Sequence, residues 1–179
     1  MRTAVECMTL LNMGASEAAL AAGVRAATDI TGFGLLGHLH RMLSASRAAA
    51  EVYADQVPVL AGAAELAQAG FVSGGTRANM ERMNGAVALD ERIPPELAML
   101  LHDAQTSGGL LLAAPPVAAP GLREDLRARG LSAAVVGKVV DGRPRPHQRY
   151  LTMPRSRNTR TASAVRVASA AFLPIAWAC

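Results

Sequence analysis

Apolar positions recur every three to four residues in several short stretches of the chain, and between them lie apolar runs of strand length. Residues 3–22 read as two helical pieces. Val5, Met8 and Leu11 share one face, Asn12–Gly14 loosens the pattern, and Glu17–Ala22 resumes it before Gly23. Residues 24–30 have the length and composition of a strand. The stretch TGFGLLGHLHRML then places Phe33, Leu36, Leu39 and Leu43 along one helical face, with Thr31 as the predicted N-cap. A second strand is predicted at 48–54 and a helix at 59–69, closed by Gly70. FVSGGTRAN (71–79) reads as a glycine-rich loop, and 94–102 as a helix opened by Pro94, Pro95 and Glu96. The polar loop DAQTSGG (103–109) feeds the apolar run Leu110–Ala114, a predicted buried strand. A helix at 117–129 with an arginine-rich last turn stops at Gly130, and 133–140 is the last predicted strand. Strands alternating with helices give an α/β class, an α+β sandwich in which a mixed sheet packs against helices.

The pattern breaks near Arg143. The segment from there to Cys179 has three prolines by Pro154 and no sustained period. It divides the chain into a folded domain, 1–141, and a basic, Pro/Arg-rich tail, 142–179, expected to be largely disordered. The net charge of +4 divides the same way. Residues 1–141 carry 14 acids and 11 bases, a balance of −3, whereas 142–179 carry seven arginines and no acid, a balance of +7. A nucleic-acid surface could therefore only be the tail, and a tail under no folding constraint, or one used for docking, accounts for the same arginines.

Length and cysteine usage narrow the class. With 179 residues the chain can bury a core without disulfide staples, and its two cysteines, Cys7 and Cys179, stand at opposite ends. No run of about 18 apolar residues suits a membrane span, and no basic segment followed by an apolar stretch suits a secretory leader. A cytoplasmic, soluble chain without membrane partners is expected.

Candidate chemistry gathers at the glycine-rich segments. Gly32, Gly34 and Gly37 fit G-x-G-x-x-G, and Asp55 lies where a dinucleotide site would place a ribose-binding acid. The preceding strand, however, carries Thr28 and Asp29, where such a strand is a plain apolar run. Asp29 either caps the helix that follows or presents a carboxylate to a hard cation such as Mg²⁺. GGTRAN (74–79) and DAQTSGG are small and polar, as loops that offer N–H groups to anions are, yet neither has P-loop spacing. Asp103 could add a second cation ligand or form an Asx-turn. His38 and His40, two residues apart, point to different faces of the predicted helix. His102 is placed to orient Asp103 or to pack in the core, and Cys7 has the spacing of a core residue.

Together, ATDITGFGLLGHL (27–39), GGTRAN and DAQTSGG resemble selenophosphate synthetase, also called selenide, water dikinase, over roughly residues 3–141. Relatives of the same architecture, such as aminoimidazole ribonucleotide synthetase, carry different glycine motifs. The resemblance implies the C-terminal domain of that enzyme, with an aminoimidazole ribonucleotide synthetase-like fold. It implies an ATP-dependent phosphotransferase that makes selenophosphate from selenide, ATP and water for selenocysteine biosynthesis, releasing AMP and phosphate, with Mg²⁺ and a homodimeric assembly. Asp29 matches a family aspartate that helps hold magnesium against the nucleotide phosphates.

Two positions depart from the family pattern: Ala78 stands where an arginine usually precedes the asparagine, and Ala104 stands where a proline follows the aspartate. The nucleophile, its neighbouring lysine and most of the ATP site belong to the family's N-terminal domain and have no counterpart in these residues. The resemblance therefore implies a part of the dikinase that is inactive without an N-terminal half, or a non-catalytic binding or dimerisation module derived from that domain.

Overall fold

The computed structural model describes residues 2–140, 151–153 and 171–175. Two helices, α1 (Arg2–Thr9) and α2 (Met13–Ala21), precede strand β1 (Ala26–Asp29). Helix α3 (Gly34–Ser46) and strand β2 (Ala49–Val52) follow, then the short helix α4 (Ala63–Gln68) and α5 (Gly74–Arg82). Strand β3 (Val87–Leu89), α6 (Pro95–Leu101), β4 (Leu110–Ala114), α7 (Ala119–Ala128) and β5 (Gly137–Val140) complete the domain. Of the stretch 142–179, the structure describes two pieces, and both are strands: β6 (Leu151–Met153) and β7 (Ala171–Ile175). The expected disorder of the rest concerns residues outside the described ones.

The strands form one sheet in the order β1-β4-β7-β5-β2-β6-β3. Pairing is antiparallel from β1 through β4, β7 and β5 to β2, and parallel from β2 through β6 to β3. The sheet is therefore mixed, as expected. It is not a dinucleotide-binding sheet, because β1 pairs antiparallel with β4 instead of opening a parallel β-α-β unit.

Strand β4 explains the layering. Its sequence LLLAA has no polar alternation, as expected of a strand covered on both faces. Leu111 faces one core cluster with Leu35, Leu36, Leu39 and Leu101, while Leu112 and Ala114 face another with Ala15, Ala18, Leu122 and Leu126. Successive strand residues point to opposite faces, so α3 and α6 cover one side and α2 and α7 the other. Between β2 and β5, Glu51 lies opposite Lys138, and their side chains meet at 3.0 Å.

Three local expectations are corrected. The FVSGGTRAN segment is a loop only up to Ser73. From Gly74 it is helix α5, begun by the Ser73 hydroxyl, which accepts the Thr76 N–H at 3.1 Å. Helix α3 starts at Gly34 with Phe33 as its cap, because the Thr31 side chain is turned to His38 instead. Cys7, expected in the core, is half-buried on α1, which has no buried residue; Cys179 lies outside the described residues.

Candidate functional site

The three glycine-rich segments meet at one end of the sheet. At the end of β1, Ile30 N–H donates to Gly109 O at 2.9 Å and Gly108 N–H donates to Ile30 O at 2.8 Å, so DITGFG and DAQTSGG run side by side. Gln105 N–H donates to Thr31 O at 3.1 Å and extends that pairing. Helix α5 locks both segments. The buried Asn79 side-chain amide donates to Gly32 O at 2.9 Å and to His102 O at 3.0 Å.

Glycine is needed here for packing. Gly34 has φ +66°, and a Cβ on it would lie 2.7 Å from the backbone carbonyls of His102 and Asp103. A Cβ on Gly37 would lie 2.9 Å from the Phe33 Cβ, whereas Gly32 has open space around it. The spacing that matched a dinucleotide fingerprint thus lets α3 approach the 102–109 loop. Asp55, the residue that reading needed, is exposed in a single 3₁₀ turn, Ala54–Gln56.

The two carboxylates have different surroundings. Asp29 is exposed at the end of β1, and its carboxylate makes no hydrogen bond or salt bridge among the described residues. Asp103 is half-buried and engaged on both oxygens. The buried Thr76 hydroxyl donates to Oδ1, and Gln105 Nε2 donates to Oδ2 at 2.9 Å. These bonds hold the loop to α5. Among the described residues, no three His, Cys, Asp or Glu side chains gather into a metal site.

The histidines take structural positions. Nε2 of His38 accepts the Thr31 N–H at 3.1 Å and lies 3.2 Å from its hydroxyl. A backbone N–H can only donate, so this nitrogen is unprotonated and the ring neutral. Burial lowers the His38 pKa; the Asp29 carboxylate opposes the shift and the Arg41 guanidinium adds to it. His102 is buried, and its Nδ1–H donates to Ala98 O at 2.7 Å within α6, so it packs and does not orient Asp103. Burial lowers its pKa too, against a smaller opposing contribution from that hydrogen bond, and burial likewise lowers the pKa of His40.

Both departures from the family motifs are visible. Ala78 and its neighbour Arg77 are exposed on α5. Ala104 packs against Gly75, whose added Cβ would come within 3.1 Å of the alanine methyl, and its N–H reaches Thr76 Oγ1 at 3.4 Å. A proline there has no N–H to give.

One feature escaped the sequence. Phe33 and Arg41 are eight residues apart on α3, and the Arg41 guanidinium stands 4.2 Å from the Phe33 ring centroid. Arg82 from α5 stands 5.5 Å from the same centroid, its Nη1 donating to Asn79 Oδ1 at 2.9 Å. The contribution from α5 is a contact between distant segments and leaves no trace in local spacing.

Residues 5–146 match the family described as AIR synthase related protein, C-terminal domain, and the chain belongs to that family. Similar relatives are each named selenide, water dikinase. The protein of Myxococcus xanthus is 40% identical over 146 residues, which are 80% of this chain and 41% of the relative. That of Caldanaerobacter subterraneus is 41% identical over 139 residues, 77% of this chain and 40% of the relative. That of Porphyromonas gingivalis is 41% identical over 140 residues, again 77% and 40%. The chain thus spans about two fifths of the length of the curated relatives it matches.

Proposed function

We propose that this chain contributes the C-terminal part of a selenide, water dikinase, the enzyme that converts selenide, ATP and water into selenophosphate, AMP and phosphate. The observation that carries this reading is Asp29: an exposed carboxylate without a protein partner among the described residues, at the end of a strand whose backbone is fixed by β4. Its hard oxygen donors suit Mg²⁺, which when bound offsets the charge of the nucleotide phosphates. Asp29 is one ligand, and productive phosphoryl transfer needs several fixed groups. The remaining ligands, the nucleophile and most of the ATP site belong to an N-terminal part, so the domain is inactive on its own. It works in the cytoplasm as a homodimer or joined to such a part.

Within this chain, β1 sets where the carboxylate stands. The paired 30–33 and 104–109 segments keep the turn after it rigid, and neutral His38 anchors Thr31 without competing for the cation. Asp103 holds the loop to α5 and leaves Asp29 to meet the metal.

A second reading, a non-catalytic binding or dimerisation module, is favoured by exposed apolar side chains on the first two helices and the link between them. Leu11 is 74% exposed and Leu20 73%, with Val5 and Met13 also open. One experiment separates the two. The chain is mixed with the portion of the Myxococcus xanthus protein that it does not match, and AMP release from ATP is followed. Selenide-dependent AMP that disappears with Asp29→Asn supports the dikinase reading. A complex that forms but releases no AMP supports the module.

A further inference from the structure

Between α3 and α5 lies a cleft of about 160 Å³, open to solvent. Phe33, His40 and Arg41 line it from α3 and its cap; Asn79, Arg82 and Met83 line it from α5. None of its lining residues is a carboxylate, and among the described residues neither Arg41 nor Arg82 forms a salt bridge.

We propose that this cleft binds a phosphate group through the Arg41 and Arg82 guanidiniums. A guanidinium stacked on an aromatic face keeps its N–H edge free, and that edge matches two oxygens of a phosphate at once. Both guanidiniums lie within cation–π reach of the Phe33 ring, Arg41 the nearer. Arg82 is fixed further by Asn79, which is itself fixed by two backbone carbonyls, so little side-chain freedom is lost when an anion arrives. Gly37 keeps the wall low, since a Cβ there would push on Phe33. Two like charges lining one cleft repel each other, and a multiply charged oxyanion bound there offsets that repulsion. The space accommodates several waters and suits a phosphate that keeps part of its hydration.

This site does not rest on Asp29 or on a metal. The phosphate could be inorganic or belong to a nucleotide, and the test separates the two. The whole chain is titrated at low ionic strength, in EDTA, with pyrophosphate and separately with AMP. Pyrophosphate is expected to bind at least tenfold more tightly to the parent than to Arg41→Gln or Arg82→Gln, with the exposed Arg2→Gln unchanged. AMP binding with the same dependence on the two arginines identifies a nucleotide phosphate; pyrophosphate binding alone identifies a free one. Arginine modification by phenylglyoxal, read by mass spectrometry on the unaltered chain, requires no variant to fold. Pyrophosphate is expected to protect Arg41 and Arg82 and to leave the surface residue Arg2 reactive. No pyrophosphate binding, equal binding in both arginine variants, or unprotected Arg41 and Arg82 overturns the proposal.

Discussion

The side chain of Asn79 holds the carbonyl of Gly32 at 2.9 Å across 47 residues of sequence, and the same amide nitrogen reaches the carbonyl of His102. Helix α5 thereby fixes both loops of the site through one buried group. Asn79→Ala leaves those two carbonyls unpaired and is expected to cost about 1–3 kcal/mol. Asn79→Asp should cost more, because a carboxylate has no N–H to give and would face two acceptors. Urea unfolding of the two variants gives that order; equal stability to the parent contradicts the role.

The glycines of the GFGLLG segment make a paired prediction. Gly34→Ala places a methyl against two backbone carbonyls at a φ that favours glycine, and should destabilise by about 2 kcal/mol or more, or prevent folding. Gly32→Ala meets nothing within 4 Å and should fall within about 0.5 kcal/mol of the parent. Thermal melts of the pair check this, and equal sensitivity would favour an anion-cradling loop instead.

Of the fold, the elements with strong local pattern were readable in the sequence. Of the α3 face predicted from Phe33, Leu36, Leu39 and Leu43, the three leucines are buried, with Leu35 added, whereas Phe33 is only half-buried and lines the cleft against α5; β4 falls on the predicted Leu110–Ala114. Helix α5 was hidden because it opens on two glycines, poor helix formers, and its cap and its packing on Ala104 decide the outcome. Strand β3 has three residues, too few for a period. Strands β6 and β7 carry no alternation that stands out in the 142–179 stretch, and their pairing with β2, β3, β4 and β5 is a long-range property. Of the site, Asp29 was marked by its position at the end of a short strand. The meeting of two loops on helix α5 was not readable, because hydrogen bonds between segments tens of residues apart leave no periodic trace.

The two faces of β4 should respond independently. Leu111→Ala and Leu112→Ala each remove a fully buried side chain from a different core cluster, and each should cost about 2–5 kcal/mol. Urea titration of the singles and the double measures both; a loss below about 1 kcal/mol at Leu112 would mean that α2 and α7 do not cover that face.

Stability should depend on pH through three histidines. His38, His40 and His102 all have pKa values lowered in the fold from the ordinary 6.5, chiefly by burial. Above that value both the folded and unfolded forms are neutral at these sites, and stability is unaffected. As the pH falls below 6.5, the unfolded chain takes up protons that the folded chain resists, so stability declines. The decline ends once the pH has also passed the folded values. Thermal midpoints from pH 8 to 5 should be level and then fall, with a smaller fall in His102→Gln; a midpoint that rises on acidification contradicts the neutral assignments.

In the proposed function the Asp29 carboxylate meets a nucleotide-bound cation. The most direct measurement is paramagnetic broadening of backbone amide signals by Mn²⁺–ATP, which detects a weak, single-ligand contact in the chain as it stands. Broadening is expected to centre on the amides of Asp29, Ile30 and Thr31 and to be absent in Asp29→Asn. Broadening that is spread over the surface, or that survives at those amides in Asp29→Asn, would contradict it.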